Sequence, residues 1–427
     1  MAENGPMTSQ CTLNTLAIAA LLASLAAALP AREPRRAPRG SEAKPRPTYP
    51  EFSWDRIPLY MHIRKATSYT DKEIAFIARF PLITFEKANG YKDHGSVEQG
   101  TLVAARAVKK VNPKAKILFY RNVIVHYGNY AANRGLEQIP GGWLRDEKGN
   151  TRLVRNRAAA YDLSNPDLRA WWVGTCRSMT ADPAIDGIFL DGNVKALDPG
   201  YLARQIGAGK KKRTMDGYRL MMKETREAIG PNKLMIANVL RARFEDAGLK
   251  YLDDFDGSYL EAFFHNVGQA SDEEYVAKGI DAMQKAARQG KIIAFSTGLA
   301  LPKNTSNMGI DEGHATVESD EQARAALAYP LAVFLICAEK YSYFRVHEGY
   351  SANESDRWMR WFTEYDRPVG PPNGRAKKDG FRYSRTFRHA SVILDVKKRT
   401  ARIRWRKPTS RNEPSPACDA PKGVPEE

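Results

Sequence analysis

The sequence has little cysteine, four in 427 residues, and little histidine, seven in all. Four cysteines exclude a disulfide-stapled scaffold. The turn after the first predicted strand reads Arg64-Lys65-Ala66-Thr67, so the glycine fingerprint of dinucleotide folds is missing. No Walker sequence, no H-E-x-x-H and no tight His/Cys/Asp cluster occurs either. Nothing therefore calls for a metal or a cofactor. Long apolar runs are absent apart from one near the start, which excludes a multispan membrane protein. No repeat of 20–50 residues is visible. What is present is ordinary globular composition, 43% hydrophobic and 27% charged. That is ample for a sizeable core.

The one apolar run, Thr12–Ala28, is uncharged and rich in Ala and Leu. It has the length of a signal-peptide core and is short for a membrane span. Arginines follow at once (Arg32, Arg35, Arg36, Arg39). The expectation is a signal peptide over residues 1–31, cleaved near Ala28 or Ala31, and a secreted or periplasmic protein with no stable membrane span. A buried or uncleaved N-terminal helix is the alternative. Residues 32–51 form a Pro/Arg-rich linker, and residues 409–427 read as a disordered tail.

The net charge of +17 is concentrated. Residues 32–50 contribute +4 and residues 371–408 contribute +11, so the long middle is close to neutral. A neutral middle is not a nucleic-acid-binding core, and no nucleic-acid partner is expected. The basic C-terminal stretch suits an anionic polymer, and a merely solvated surface accounts for it equally well.

Between Phe52 and His347 short apolar runs alternate with amphipathic segments. The predicted strands are Pro58–Ile63, Leu82–Phe85, Lys116–Tyr120, Gly187–Leu190, Lys233–Ala237, Gly257–Leu260, Lys291–Ser296 and Tyr341–Arg345. Apolar runs without alternation indicate strands buried on both faces, as in a parallel sheet. Capping pairs mark helix starts at Thr70/Glu73, Ser96/Gln99, Ser271/Glu274 and Ser319/Gln322, and Asn165-Pro166 adds another. Eight such units predict a (β/α)8 TIM barrel over residues 52–365. Beyond a turn-rich boundary, Tyr383–Phe387, Ala390–Asp395 and Thr400–Trp405 alternate polar and apolar residues. They predict a small antiparallel β unit over residues 366–408.

Active sites of such barrels lie at the C-terminal ends of the strands. Those ends supply His62, Arg64, Glu86, Arg121, Asn122, His126, Asp191, Asn238, Glu261, Ser296, Thr297 and Arg345. Two carboxylates stand out. Asp186-Gly-Ile-Phe-Leu-Asp191 and Asp256-Gly-Ser-Tyr-Leu-Glu261 share the pattern D-G-x-x-L-[D/E], so both acids leave their strands in equivalent positions. Two carboxylates in one pocket meet the need of glycosidic cleavage, in which one attacks or activates water and the other protonates the leaving oxygen. The competing reading makes Asp191 a helix cap and Glu261 an ion-pair partner of Arg241 or Arg243. His62, Glu86, Arg121, Asn122, His126, Asn238, Tyr259 and Arg345 are candidate substrate-binding residues, and Glu86 is equally suited to an ion pair with Lys87 or Arg121. Tyr60, Tyr120, Tyr127, Trp143 and Tyr259 offer flat surfaces on which sugar rings stack, or serve the core. Trp171 and Trp172 read as barrel packing.

At these residues the chain resembles the hypothetical glycosyl hydrolases, TIM barrels of bacteria. The matching stretches are Asp162–Trp172, Asp186–Asp191, Tyr259-Leu-Glu261, Arg367-Pro-Val-Gly-Pro-Pro and Tyr383-Ser-Arg-Thr-Phe, and the resemblance runs from Phe52 to Trp405. More distantly the layout is similar to retaining α-galactosidase and polygalactosaminidase barrels. That resemblance implies Asp191 as nucleophile, Glu261 as general acid/base and an α-linked poly- or oligosaccharide as substrate. The expected protein is thus an exported glycoside hydrolase. A carbohydrate-binding barrel without catalysis is the alternative.

Overall fold

The computed structural model describes residues 47–406, apart from 262, 265, 267–269, 300–318 and 354–355. The expected signal peptide, residues 32–46 of the linker and the tail lie outside the described residues. Eight buried runs form parallel strands: β1 (Tyr60–Ile63), β2 (Leu82–Phe85), β3 (Lys116–Asn122), β4 (Gly187–Asp191), β5 (Leu234–Ala237), β6 (Gly257–Leu260), β7 (Ile292–Gly298) and β8 (Ser342–His347). Each pairs with its successor. The sheet returns on itself where the Phe344 N–H donates to the Pro58 carbonyl at 2.8 Å. The predicted barrel is the fold, nearly closed, with β8 meeting the start of β1 through the isolated bridge between Leu59 and Phe344.

Helices begin where the capping pairs place them. Thr70/Glu73, Ser271/Glu274 and Ser319/Gln322 form reciprocal boxes heading the helices Asp71–Ile77, Asp272–Arg288 and Asp320–Cys337. Ser96 accepts from the Gln99 N–H at the head of Val97–Val111, and Asn165 caps Pro166–Thr180. Each satisfies backbone donors that the first helical turn leaves orphaned. The crossover from β5 to β6 departs from the pattern and holds only the 3-10 turn Leu249–Asp254. There the Asp246 carboxylate accepts from the Gly248 and Lys250 N–H groups, a local turn that competes with an α-helix.

The shared D-G pattern has one structural cause on both strands. The Asp186 carboxylate accepts from the Ile117 N–H of β3 at 2.9 Å, and the Asp256 carboxylate accepts from the Met235 N–H of β5 at 2.8 Å. Each aspartate therefore fixes the register of its strand against the preceding one. A Cβ on Gly187 would sit 2.2 Å from the Leu234 carbonyl oxygen, and one on Gly257 2.1 Å from that of Ile292. Only glycine lets the following strand approach so closely.

Two cores result. Tyr60, Leu82, Leu118, Tyr120, Phe189, Leu234, Ile236, Tyr259, Ile292, Ala294 and Tyr343 fill the barrel interior. A larger apolar layer lies between strands and helices. The lower end of the barrel is covered by the last residues of the segment read as a linker. Tyr49 packs edge-on against Tyr341, and the Tyr343 hydroxyl donates to the Pro50 carbonyl at 2.8 Å.

The C-terminal sheet has four antiparallel strands in the order β12 (Thr400–Trp405), β11 (Ala390–Asp395), β10 (Arg382–Thr386) and β9 (Lys377–Asp379). β9 was not foreseen, because Lys-Lys-Asp has no apolar face and sits exposed at an edge. Buried Arg385 joins the sheet to the barrel. It donates to the Leu335, Ile336 and Ala338 carbonyls at the end of Asp320–Cys337 and pairs with Glu339 at 2.7 Å.

Candidate active site

Side chains alternate between the two faces of a strand, so the residue two places beyond an interior one points into the upper mouth. Beyond Tyr60, Thr84, Tyr120, Phe189, Ile236, Tyr259, Ala294 and Tyr343 come His62, Glu86, Asn122, Asp191, Asn238, Glu261, Ser296 and Arg345. These eight ring the opening.

Asp191 and Glu261 are held by one amide. The Asn238 side-chain nitrogen donates to Asp191 Oδ1 at 3.2 Å and to Glu261 Oε2 at 3.1 Å. The two oxygens lie no farther apart than those two bonds laid end to end. Asn238 itself is buried, and its Oδ1 has no hydrogen-bond partner among the described residues.

The remaining partners of the two acids differ. Asp191 Oδ2 accepts from the Tyr120 hydroxyl at 2.6 Å and from Asn122 Nδ2 at 3.2 Å. Asn122 is fixed in turn, its Oδ1 accepting from the Ile124 and Val125 N–H groups. Burial pushes the Asp191 pKa up, but the Lys195 ammonium, the Tyr120 hydroxyl, Lys87 and the Gly192 N–H outweigh it and hold the carboxyl at about 2. Asp191 is ionised at any ordinary pH. It is not a helix cap, since the short helix Asn193–Leu197 has Gly192 in that place. Glu261 Oε2 pairs with Arg241 Nη2 at 2.6 Å, and Arg241 Nη1 donates to the Glu261 carbonyl, also at 2.6 Å. The Tyr350 hydroxyl reaches Glu261 Oε1 at 3.4 Å. The ion pair with Arg241 is thus present, together with the approach to Asp191.

The other candidates divide. His62 is buried at the mouth, its Nδ1 2.9 Å from the Tyr60 hydroxyl. Burial, reinforced by the charges of Arg345 and Lys87, keeps its pKa well below the usual imidazole value, so the ring is neutral. Tyr259 lies inside the barrel, its hydroxyl 2.7 Å from that of Tyr350. Glu86 is committed to ion pairs with Arg64, at 2.9 Å, and with Lys87. Arg345 donates to Ser296 Oγ and to the Gly349 carbonyl, both at 3.3 Å.

Two candidates are not brought to the pair. Arg121 has the opposite parity to Tyr120 and Asn122, so its side chain leaves the outer face of β3. It lies buried among Tyr130, Trp171 and Trp172, 5.0 to 5.7 Å from their ring centres. His126 sits in the loop after β3 against Trp143 and Tyr161, and is not among the groups bonded to either carboxylate. Tyr60, Tyr120 and Tyr259 offer no stacking surface, being interior core residues. Sequence reasoning missed Lys195 and Tyr350 and gave Lys87 and Arg241 only structural roles. Lys195 and Tyr350 lie in connections beyond the strand ends, where a strand-end reading has no signal.

A family model described as hypothetical glycosyl hydrolase family 15 matches residues 109–391 of the chain. Among solved structures, the glycoside hydrolase domain of PelA from Pseudomonas aeruginosa is similar at 14% identity and TM-score 0.39, over 56% of this chain and 83% of that one. A GH36 α-galactosidase, AgaA from Geobacillus stearothermophilus, is similar at 12% identity and TM-score 0.44, over 79% of this chain and 47% of that one. An Anoxybacillus α-amylase is similar at 14% identity and TM-score 0.46, over 81% and 88%. No curated protein matches the sequence.

Proposed function

The chain belongs to hypothetical glycosyl hydrolase family 15, and from that premise we propose that it cleaves O-glycosidic bonds with Asp191 as nucleophile and Glu261 as acid/base. The observation that carries the reading is the single Asn238 amide shared by the two carboxylates. Separations of about 5–5.5 Å belong to retaining enzymes and about 6.5–9.5 Å to inverting ones. Two acids close enough to share one donor favour the retaining arrangement.

In the first step Asp191 attacks the anomeric carbon. The bond to the leaving oxygen breaks, and Glu261, protonated for this step, gives that oxygen its proton. In the second step Glu261 takes a proton from water, whose oxygen displaces Asp191 from the sugar. A low pKa suits Asp191 to the first role, since a nucleophile must be ionised. An α-linked substrate and export follow from the resemblance and from the Thr12–Ala28 run, and both belong to this proposal.

Asp191→Asn is expected to lower turnover at least about 1,000-fold with an unchanged circular dichroism spectrum. Glu261→Gln should spare aryl glycosides with good leaving groups far more than natural glycans, because such leaving groups need no proton. Release of reducing ends from a glycan panel checks both. Wild-type turnover by Asp191→Asn would overturn the assignment, and glycan binding without any cleavage by the wild type would favour a binding barrel.

A further inference from the structure

The two oxygens of Glu261 have partners of different kinds. Oε2 accepts from Arg241 Nη2 at 2.6 Å and from Asn238 Nδ2 at 3.1 Å. A guanidinium and an amide nitrogen can donate but never accept. Both partners therefore favour a bare Oε2, and a proton placed there would point at groups that already carry protons. Oε1 meets the Tyr350 hydroxyl at 3.4 Å. A hydroxyl can play either part, donating its own proton or accepting one into a lone pair. An acid/base catalyst needs both, being protonated before the bond breaks and ionised after it.

Tyr350 is held where it can serve both states. Its carbonyl accepts from the Arg64 N–H at 2.9 Å, and the Ala352 N–H donates to the Arg64 carbonyl at 2.8 Å. These bonds lay the segment after β8 alongside the end of β1, in a parallel bridge between Arg64 and Ser351. The ring is buried, its centre 4.5 Å from that of His347 and 5.2 Å from that of His62. His347 is fixed in turn, its Nδ1 accepting from the Gly349 N–H at 3.0 Å. The hydroxyl hydrogen can still turn between Glu261 Oε1 and the Tyr259 hydroxyl, 2.7 Å away. Burial, then Tyr259 and Glu261, push the Tyr350 pKa well above the usual phenol value, so the group keeps its proton.

We propose that Oε1 is the oxygen from which Glu261 gives its proton, and that Tyr350 is its positioning residue. In the first step the Oε1–H bond breaks, its electron pair stays on Oε1, and the proton bonds to the leaving oxygen. The Tyr350 hydroxyl then turns from accepting to donating and steadies the new carboxylate. When water attacks, Oε1 takes up one of its protons and the hydroxyl turns back. This assignment rests on the hydrolase reading for the role of Glu261, and on the contacts alone for the coupling of the two groups. Among the described residues, Arg241, Lys195 and Asp191 also bear on Glu261, and Arg345 on Tyr350. The variants that test the assignment keep all four charges.

The test compares Tyr350→Phe and Tyr259→Phe with the wild type. Loss of the Tyr350 hydroxyl removes a donor to the ionised acid, so Glu261 should hold its proton to higher pH. The alkaline limb of kcat/KM, which reports the acid in the free enzyme, should move up by about 0.5–1 pH unit. Tyr259→Phe leaves Tyr350 facing Glu261 and should not move that limb upward. Infrared difference titration of the substrate-free protein, with Glu261→Gln identifying the band, should show the same displacement of the Glu261 carboxyl. In the wild type itself, the Tyr350 C–O band should change over the pH span in which Glu261 titrates. A rate that falls equally at every pH, with the limb in place, would reduce Tyr350 to packing and overturn the proposal. So would an equal upward displacement in Tyr259→Phe, or a Tyr350 band that ignores the titration of Glu261. Infrared coupling in a wild type that cleaves no glycan of the panel would overturn the hydrolase reading and leave the coupling standing.

Discussion

At the scale of single residues, one position decides whether a side chain serves the site or the scaffold. Arg121 and Asn122 are neighbours at the end of β3, yet Asn122 holds Asp191 and Arg121 packs on the far side against Trp171 and Trp172. Period-two alternation, counted back from Tyr120, was available in the sequence and would have separated them. The partners of Asp191 carry a consequence for stability. Its pKa of about 2 in the folded chain lies below the roughly 3.9 of an unfolded aspartate. A depressed folded value means that the stabilisation is complete above about pH 4 and disappears as pH falls toward 2, amounting to about 2 kcal/mol. Urea unfolding at stepped pH should show that decline in the wild type, and Asp191→Asn should show a flatter profile over the same window.

At the scale of elements, β4 and β6 are built alike. An aspartate fixes the register below, a glycine admits the next strand, and five residues after each aspartate a carboxylate emerges at the mouth. The repeated D-G-x-x-L-[D/E] is therefore first a folding device, and its catalytic reading depends on it. Gly187→Ala and Gly257→Ala should each cost roughly 2–4 kcal/mol, since the added methyl meets backbone that cannot turn aside. Chemical denaturation of both variants checks this, and a cost near zero at either position would refute the account. The 3-10 crossover before β6 was not legible from spacing, because the side-chain-to-backbone bonds of Asp246 outcompete a helix there.

At the scale of the whole molecule, the C-terminal sheet leans on the helix Asp320–Cys337, whose last two turns are buried. Arg385 satisfies three carbonyls there and the Glu339 carboxylate. Arg385→Met should leave those acceptors unpaired and lower stability by about 3 kcal/mol, read as a fall in the urea midpoint. Barrel class, strand order, helix starts and the equivalence of Asp191 and Glu261 were all determined by the sequence alone. Each depends on local apolar period, capping chemistry or a repeated motif, which neighbouring residues carry among themselves. The sharing of Asn238, the clamp of Arg241 and the action of Lys195 on Asp191 were decided only by tertiary structure. These depend on which strands and loops meet across the mouth, and barrel closure, which no stretch of neighbouring residues encodes, brings those groups together.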